Sequence, residues 1–472
     1  MTARQHDKLL ILGAGPAGIG CAYTLAESGY APRLIEKERE VGGLCRTLDY
    51  HGYLFDIGGH RFLTKSKEVN RLWSKVMGSD MLRVSRLSRI YYKKKFYNYP
   101  LSFFNTFWNF GLIEGLLCVA SYFWCKLFKP GDELTFEGWI TNHFGKRLYE
   151  IFFKTYTEKV WAVPCRDISA NWAKQRIRGL SLKVAIQNAV MGMKGNRPKT
   201  LADNFLYPRK GPGEFYHRMQ AVIEAKGGQF LFGHEAVKIH HQNDKIVSVE
   251  VEKCGNGRPE IAGLDYLFSS LPLPVLVQRL CPAPPAHVIA AAKKMHFRNF
   301  MIVNVILDKE QVFPDQWIYV HSPEVKLGRI QNYKNWSPSM VMDLRKTSLG
   351  LEYFCDVDDE LWGMNDIDLI HRAISELEKI GIVSRSHLID GFVVRQSDVY
   401  PVYSLDYQEN IQVLKDYLKM FSNLQTMGRA GLFRYDNSDH ALLTGIYAAK
   451  NYLGDGPLDL WQVNTDENYL EA

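Results

Sequence analysis

Three glycines near the N-terminus have the spacing of a phosphate-binding turn. Gly13, Gly15 and Gly18 form the motif GxGxxG between the apolar run KLLIL and a helical stretch. Glycines at these positions allow a tight turn, close approach of a pyrophosphate and close helix–strand packing, while the helix N-terminus offers N–H donors. Glu36 ends the next apolar run, where its carboxylate can accept hydrogen bonds from ribose hydroxyls. The arrangement predicts a site for a dinucleotide.

Three other stretches resemble the cofactor segments of FAD-binding flavoproteins related to amine oxidases. They are EKEREVGGLCRT (residues 36–47), DIGGHRF (56–62) and MGRAGLFRYDNSDH (427–440). The resemblance implies that the dinucleotide is FAD and that a helix N-terminus after residue 437 faces the flavin. Besides the first motif, the residues that it assigns to the cofactor are Gly42, Gly43, Arg46, Gly58, Gly59, His60, Val237, Gly428, Arg429, Asn437 and Ser438.

The elements that must position these residues begin with a βαβ unit. Residues 8–13 and 31–36 are predicted as buried parallel strands on either side of a helix. Further strands are predicted at GGQFLF, KIVSVEVE and DYLFSSLP. The expected fold is α/β, with a Rossmann-like FAD-binding domain of the GR2 flavoprotein type interleaved with a helical domain and an antiparallel-sheet substrate domain.

The domain boundaries follow changes in these patterns. The predicted ranges are 1–95, 205–285 and 420–472 for the FAD-binding domain, 96–200 for the helical domain and 286–419 for the substrate domain. The helical domain contains an amphipathic stretch, residues 135–161, for which Asp132 or Thr135 is the predicted N-cap. The substrate domain has strand patterns at FMIVNVIL, QWIYVHS, SMVMDLR and LEYFCDV.

One segment is apolar over a length that approaches a membrane span. FWNFGLIEGLLCVASYFWCKLF, residues 107–128, has Glu114 as its only acid, and roughly twenty apolar residues suffice to cross a bilayer. It lies in mid-chain with no second span to return the chain. The preferred interpretation is therefore buried helices, and peripheral docking on a membrane surface is the alternative.

Composition narrows the classes of function. The eight cysteines include no CxxC pair, which predicts neither a metal site nor a disulfide framework. The net charge of +7 over 472 residues is mild, and no basic stripe with interleaved aromatics suggests nucleic acid. No secretory signal begins the chain, so a cytoplasmic location is expected. The sequence does not predict an oligomeric state.

Most of the chain also resembles UDP-galactopyranose mutases, especially the eukaryotic type. The resemblance runs in order through FYNYP, residues 136–177, QWIY, GRIQNYKNWSP, DVYP and GRAGLFRYDNSDH. It implies that Arg176, Arg329, Tyr400 and Tyr435 hold a diphosphate, with Tyr99, Thr157, Trp161, Trp317 and Tyr319 on the nucleotide side. Thr157 falls where these mutases carry an asparagine, and Ser102 falls where the eukaryotic type carries a glutamine, which leaves the sugar and the base open. Trp172 is predicted as core.

The resemblance implies a flavin-dependent nucleotide-sugar mutase. Reduced FAD would attack the anomeric carbon through N5 and interconvert pyranose and furanose, with Arg176, Arg329, His60, Tyr400 and Tyr435 as catalytic residues. The two arginines are expected to meet over the flavin and hold the diphosphate. NAD(P)H is retained as a candidate reductant. The alternative is an FAD-dependent oxidoreductase of the amine oxidase or protoporphyrinogen oxidase type, with residues 107–128 as the entrance for a lipophilic substrate.

Overall fold

The apolar run that precedes the glycine motif forms the central strand of a five-stranded parallel sheet. The computed structural model describes residues 7–99, 109–177, 204–255 and 257–464, apart from the side chains of Leu112, Gln175, Arg176 and Ile177. With strands numbered in chain order, this sheet comprises β1 (Leu9–Leu12), β2 (Arg33–Glu36), β9 (Gln229–Phe232), β13 (Tyr266–Ser269) and β20 (Leu424–Thr426), in the order β20-β13-β1-β2-β9. Every residue of β1 is buried, as expected for a parallel strand covered on both faces.

A second sheet has seven strands, and several of its residues line a cavity that also reaches the edge of the parallel sheet. Its order is β19-β15-β18-β17-β16-β6-β7, and only β16 and β6 are parallel. The strands are β6 (Ser88–Tyr92), β7 (Lys95–Asn98), β15 (Phe297–Leu307), β16 (Trp317–Val320), β17 (Arg329–Asn332), β18 (Thr347–Cys355) and β19 (Leu388–Pro401).

The remaining strands form smaller sheets. A four-stranded sheet has the order β12-β11-β10-β14. Its strands are β10 (His234–Gln242), β11 (Lys245–Lys253), β12 (Glu260–Gly263) and β14 (Leu280–Cys281). Two ribbons pair β3 (Thr47–Tyr50) with β4 (Tyr53–Asp56), and β5 (Met81–Ser85) with β8 (Asn204–Pro208).

Twelve α-helices of six or more residues are numbered in chain order within the described residues. They are α1 (Pro16–Glu27), α2 (Lys67–Met77), α3 (Leu112–Phe128), α4 (Phe136–Phe144), α5 (Thr155–Trp161), α6 (Ala170–Ile177), α7 (Gly213–Ala225), α8 (Leu273–Gln278), α9 (Ala286–Lys294), α10 (Asp366–Lys379), α11 (Tyr407–Leu418) and α12 (Ser438–Leu453). Shorter helical turns are Lys146–Leu148, Tyr333–Trp336, Glu360–Gly363 and Gly428–Gly431.

Helices α1 and α12 pack closely beside the parallel sheet. A Cβ atom on Gly445 would lie 1.9 Å from the carbonyl oxygen of Ala17, so a larger residue would separate the two helices. The buried side chains of both helices belong to one core with Phe215 and Met219 of α7. This packing fixes the N-termini of α1 and α12 relative to each other.

The predicted amphipathic stretch is divided into several helical segments. Thr135 is the N-cap of α4, since its hydroxyl accepts a hydrogen bond from the Gly138 N–H at 3.0 Å. Gly145 ends α4, and a π-helical turn, Tyr149–Lys154, leads into α5. The helical prediction is confirmed, although the stretch is not continuous.

Two expectations about particular segments are wrong. SMVMDLR is not a strand, because Pro338 begins a tight turn and the Asp343 carboxylate accepts the Arg345 N–H at 2.9 Å. Helix α3 is not buried on all sides, since Ile113 and Leu127 are 78% and 76% exposed. No helix within the described ranges is long and apolar enough to cross a membrane. The mixed α/β fold class is confirmed, and the domain boundaries stay predictions.

Candidate functional site

The glycine motif forms a tight turn between β1 and α1 at the edge of the parallel sheet. Gly13 has a φ of 91°, in the left-handed region that favours glycine. A Cβ atom on Gly18 would lie 1.9 Å from the Gly13 carbonyl oxygen. Gly13 and Gly15 line a cavity of about 390 Å³. Gly18 is not a lining residue, and its missing side chain allows α1 to pack closely against the turn. The chain therefore provides a backbone surface and a helix N-terminus suited to phosphates.

Glu36 connects this turn to the end of β2. Its carboxylate accepts hydrogen bonds from the N–H groups of Ala14 at 2.6 Å and Glu38 at 2.9 Å. The residue is 7% exposed and lines the same cavity. A carboxylate has more acceptor sites than these two bonds occupy, so it remains able to accept from ribose hydroxyls.

The second glycine pair packs directly onto the first motif. The Gly42 N–H donates to the Ala14 carbonyl at 2.8 Å, and a Cβ atom on Gly43 would lie 3.0 Å from Gly15 Cα. Gly43 lines the cavity; Gly42 and Arg46 are not among its lining residues. Arg46 is buried and forms an ion pair with Glu38 at 2.7 Å.

Near the C-terminus, Gly428, Arg429, Asn437 and Ser438 all line the cavity. Asn437 is the N-cap of α12 and exchanges capping hydrogen bonds with His440. Arg429 lies over the rings of Tyr435 and Tyr400, with its guanidinium carbon 4.1 Å and 4.7 Å from their centroids. Its Nε and Nη2 atoms are buried without a hydrogen-bond partner in the described part of the chain. These nitrogens are available to ligand oxygens.

The loop after β4 places His60 at the cavity wall with Gly58 and Gly59. His60 Nδ1 lies 3.2 Å from the Gly58 carbonyl oxygen, which can only accept, so Nδ1 carries the proton and Nε2 is an acceptor. Burial, opposed in part by that hydrogen bond, lowers the pKa of His60 to about 4. The imidazole is therefore neutral near pH 7.

Three of the four residues predicted to hold a diphosphate lie together on the opposite wall. Arg329, Tyr400 and Tyr435 line the same cavity as the glycine motif. Arg329 Nη2 lies 3.5 Å from the Tyr400 hydroxyl, and the two tyrosine rings are 5.5 Å apart. The structure thus brings together residues from β17, β19 and the segment before α12.

Glu352 is a functional candidate that the sequence interpretation missed. It is fully buried in β18 and forms an ion pair with the Arg329 guanidinium. Its other oxygen accepts from Gln331 Nε2 at 2.8 Å, and Gln331 lines the cavity. A single acid within the otherwise uncharged strand TSLGLEYFC was the available signal, because a buried carboxylate needs a cationic partner.

Aromatic side chains form one side of the cavity. Trp317 and Tyr319 line it, as does Trp336, which was not predicted and which stacks on Trp317 at 5.3 Å. Arg61 lies over the Trp317 ring at 5.2 Å. Tyr99 packs on Tyr319 at 5.0 Å without belonging to the lining residues.

Three further predicted site residues also lie outside the cavity lining. Trp161 is 3% exposed and lies behind Tyr400 and Tyr435, at 6.2 Å and 6.4 Å. Thr157 is buried on α5. Val237 lies at an irregularity of β10, although its neighbours His234, Glu235 and Ala236 do line the cavity.

Neither Trp161 nor Trp172, two tryptophans in the helical region, lines the cavity, and both pack with the apolar core. Trp172, predicted as core, is only half-buried and packs edge-on against Trp161 and Tyr435, both at 4.8 Å. Trp161, predicted at the nucleotide wall, is the more buried of the two. The two residues form one aromatic support behind Tyr400 and Tyr435.

The position of the Arg176 side chain lies outside the described part of the chain. Its backbone ends α6, Ala170–Ile177. The expected meeting of Arg176 and Arg329 over the cofactor therefore stays a prediction. Among the described residues, no cluster of histidine, cysteine or acidic side chains is arranged to hold a metal ion.

Two curated proteins show partial sequence similarity to the chain. It is 26% identical over 184 residues to a probable UDP-galactopyranose mutase of Klebsiella pneumoniae. It is also 26% identical over 185 residues to a dTDP-fucopyranose mutase of Escherichia coli. Each alignment covers 36% of this chain and 45% of the relative, so the matches span less than half of the relatives' length.

A solved structure and a family model match much more of the chain. The crystal structure of a reduced UDP-galactopyranose mutase superposes with a TM-score of 0.82, over 98% of both chains at 21% identity. At that identity the likeness establishes the fold alone. The sequence model of the family described as flavin containing amine oxidoreductase matches residues 16–391. The match covers more than half of the chain, and the glycine turn and Glu36 lie together at the edge of the parallel sheet. The chain therefore belongs to the flavin-containing amine oxidoreductase family.

Proposed function

We propose that the protein is a flavin-dependent nucleotide-sugar mutase that interconverts the pyranose and furanose forms of a diphosphate-linked sugar. The observation that carries this proposal is the shared cavity, which Arg329, Tyr400 and Tyr435 line together with the glycine motif. A guanidinium and two phenol hydroxyls are suitable donors to diphosphate oxygens. The likeness to a reduced UDP-galactopyranose mutase along nearly the whole chain also supports it.

The residues of the cavity fit FAD. Gly13, Gly15 and Glu36 would hold its adenosine diphosphate part, and the buried, unpaired nitrogens of Arg429 would meet its polar atoms. The N-terminus of α12 would face the flavin ring system. In its reduced form, bound FAD supplies a nucleophilic N5 for reaction at an anomeric carbon.

Arg329 would stabilise the negative charge of the departing diphosphate. Glu352 and Tyr400 engage its Nε and Nη2 atoms, which fixes the guanidinium plane and leaves Nη1 for a ligand oxygen. Burial raises the pKa of Tyr400, so its hydroxyl stays protonated and can donate at neutral pH. Arg176 is proposed as the second cation of this clamp.

His60 would act as a neutral group beside the cofactor. With its proton on Nδ1, the ring offers Nε2 as an acceptor to a sugar hydroxyl or to the cofactor. Trp317, Trp336 and Tyr319 would exclude water from this end of the cavity.

The proposal is tested by turnover of nucleotide sugars by the reduced protein. Dithionite-reduced protein is incubated with UDP-galactopyranose and with dTDP-linked sugars, and furanose product is separated by chromatography. A parallel arm replaces dithionite with NADPH. Product is expected only with reduced flavin, and Arg329→Lys should lower kcat by about 10²–10³-fold, the scale for losing one preorganised charge stabiliser.

Arg89→Lys is the matched control for that variant. Arg89 also pairs with a fully buried acid, Asp315, and it does not line the cavity. This variant should retain wild-type turnover, which separates loss of an ion pair from loss of a catalytic group. Normal nucleotide-sugar turnover by Arg329→Lys would contradict the assignment.

The second candidate is an oxidoreductase, and the family description favours it. The Arg329–Glu352 pair carries no net charge, so this wall is less cationic than a free arginine would make it. Oxygen consumption with an amine or another reduced substrate, without turnover of any nucleotide sugar, would establish this alternative in place of the mutase.

A further inference from the structure

Helix α3, Leu112–Phe128, presents large apolar side chains to solvent along most of its length. Six of them are between 57% and 78% exposed, and we call this set the apolar face of α3: Ile113, Leu116, Phe123, Trp124, Leu127 and Phe128. The rings of Trp124 and Phe128 are 4.3 Å apart. A contiguous patch of this kind on a folded protein marks an interaction surface.

The opposite side of α3 is firmly packed. Cys118, Tyr122 and Cys125 are each at most 6% exposed. A Cβ atom on Gly145 would lie 2.8 Å from Tyr122 Cα, so the backbones approach as closely as glycine allows. The helix is therefore held in place through its inner side, and the apolar face is left outside by the fold.

Lysines border this face at both ends. Lys126 and Lys129 are exposed at the C-terminal end of α3, and Lys93 and Lys94 are exposed in the turn between β6 and β7. That turn lies next to the N-terminal end of the helix, because Lys95 Nζ donates to the carbonyl of Asn109. The face therefore has cationic groups on opposite margins.

The acids near the apolar face are engaged by neighbouring groups. Glu114, the only acid within α3, forms two hydrogen bonds with Arg147, one of them 2.9 Å long. Beyond the helix, Asp132 accepts the Leu134 N–H at 2.9 Å, and Glu133 accepts from Asn142 Nδ2 at 2.9 Å. The ion pair with Arg147 compensates the charge of Glu114, whereas Asp132 and Glu133 keep their negative charges. The four border lysines outnumber these two acids, so the net charge of this group of residues beside the face is positive.

We propose that the apolar face of α3 docks on an anionic phospholipid bilayer. The helix, about 25 Å long, would lie in the plane of the interface, with its exposed apolar side chains at the acyl boundary and the border lysines at the headgroup phosphates. Trp124 is suited to this depth because its ring is apolar and its N–H can donate to headgroups.

Charge favours a bilayer over a second copy of the chain. A two-fold contact through the same face would bring the border lysines of both copies toward one another, which opposes association. Anionic lipid headgroups instead supply the opposite charge.

Docking through α3 would place the substrate cavity close to the membrane surface. Cys118, on the inner side of α3, belongs to the same apolar cluster as Tyr99 and Tyr319, and Tyr319 lines the cavity. This inference does not depend on the reaction that the cavity performs.

Vesicle sedimentation of the full chain tests the proposal. Vesicles of phosphatidylcholine with about 30% phosphatidylglycerol are compared with phosphatidylcholine alone. The wild type should bind the anionic vesicles. The double variant Trp124→Ser/Leu127→Ser should bind at least about tenfold more weakly because it loses inserted apolar area. Lys126→Gln/Lys129→Gln should weaken binding on the order of tenfold or more, and added salt should reproduce its effect.

Two variants at remote exposed sites are the matched controls. Ile261→Ser removes an apolar side chain that is 73% exposed on β12, and Lys253→Gln removes an exposed lysine of β11. Both should bind like the wild type. Unchanged melting temperatures of the α3 variants would show that the fold is kept.

Two results would overturn the proposal. One is equal sedimentation of the wild type with and without anionic lipid. The other is a wild-type dimer in light scattering that Trp124→Ser/Leu127→Ser dissociates, since that would make a second copy the occupant of the face.

Discussion

At the scale of single residues, the pairing of Arg329 with Glu352 decides how the cavity wall responds to mutation. Glu352 is fully buried and Arg329 has 18% of its side chain exposed. Removing one partner of a buried pair leaves the other charge without compensation. Replacing both partners with neutral residues leaves no uncompensated charge in the interior.

We expect Arg329→Met to lower the free energy of unfolding by about 3–5 kcal/mol. The double variant Arg329→Met/Glu352→Gln should recover most of that loss, because no buried charge then lacks a partner. Denaturant unfolding of both variants and of Glu352→Gln completes the cycle. If the changes in the free energy of unfolding of the two single variants simply add in the double variant, the proposed interaction between Arg329 and Glu352 is contradicted.

Asp56 introduces a pH dependence of stability between about pH 4 and 7. Burial raises its pKa to about 7, although Tyr207 and Thr47 donate hydrogen bonds that oppose the change. An unfolded chain ionises this carboxyl near pH 4. The folded state therefore holds a proton that the unfolded state lacks between about pH 4 and 7, and stability falls as the pH rises through that window.

Asp56→Asn should remove this contribution. Relative to the wild type, the variant should gain stability as the pH is raised from 4 to 8, by at most about 1.4 kcal/mol per pKa unit. Denaturant midpoints measured across this range provide the test. His60 acts in the opposite direction in both proteins, since its low folded pKa makes stability fall as the pH drops from about 6.5 to 4. A difference in stability between the variant and the wild type that stays constant from pH 4 to 8 would show that Asp56 is not the source of the pH dependence.

At the scale of elements, the contact between α1 and α12 controls the geometry of the cofactor side. Both helices direct their N-termini toward the cavity, as Pro16 and Ser438 are lining residues. Gly445 permits their close approach. An added methyl group must move one helix relative to the other, because its nearest neighbour is the backbone carbonyl of Ala17, which cannot rotate away.

Gly445→Ala should lower the free energy of unfolding by about 1–3 kcal/mol through overpacking. It should also weaken flavin retention, because the two helix N-termini move apart. Thermal unfolding and flavin absorbance after gel filtration measure the two effects. Gly263→Ala is the control, since a Cβ atom there has nothing within 4 Å. Wild-type flavin content in Gly445→Ala would argue against the positioning role.

At the scale of the whole molecule, the cavity joins segments that are far apart in sequence. Its lining runs from Leu12 to Ala441 and includes residues of the parallel sheet, the seven-stranded sheet and the loop before α12. A ligand bound there connects all of these segments, and its binding energy adds to the stability of the folded chain.

Adding FAD to flavin-free protein should therefore stabilise the entire fold. At a concentration one hundred times its Kd, FAD is expected to raise the free energy of unfolding by about 2.7 kcal/mol. NAD at the same concentration should have a much smaller effect if the site is specific for FAD. Calorimetry with each ligand measures the difference, and equal stabilisation by both would contradict the cofactor assignment.

The sequence alone determined the parts of this protein that depend on local geometry. Spacing and side-chain type predict the GxGxxG turn, Glu36 at the end of β2 and the buried strand Leu9–Leu12, because each of these features depends on residues close in sequence. These features were sufficient to predict a dinucleotide fold. For the cap of α4 they leave two candidates, Asp132 and Thr135, and the structure selects Thr135.

The tertiary structure alone decided which distant side chains face one another. Glu352 meets Arg329 only because β17 and β18 pair in register, and Trp161 lies behind Tyr400 rather than in the cavity because α5 packs against the seven-stranded sheet. The outward apolar face of α3 likewise depends on which side of the helix its neighbours cover. Hydrophobicity predicts that a side chain prefers burial, but the available packing partners determine whether it is buried.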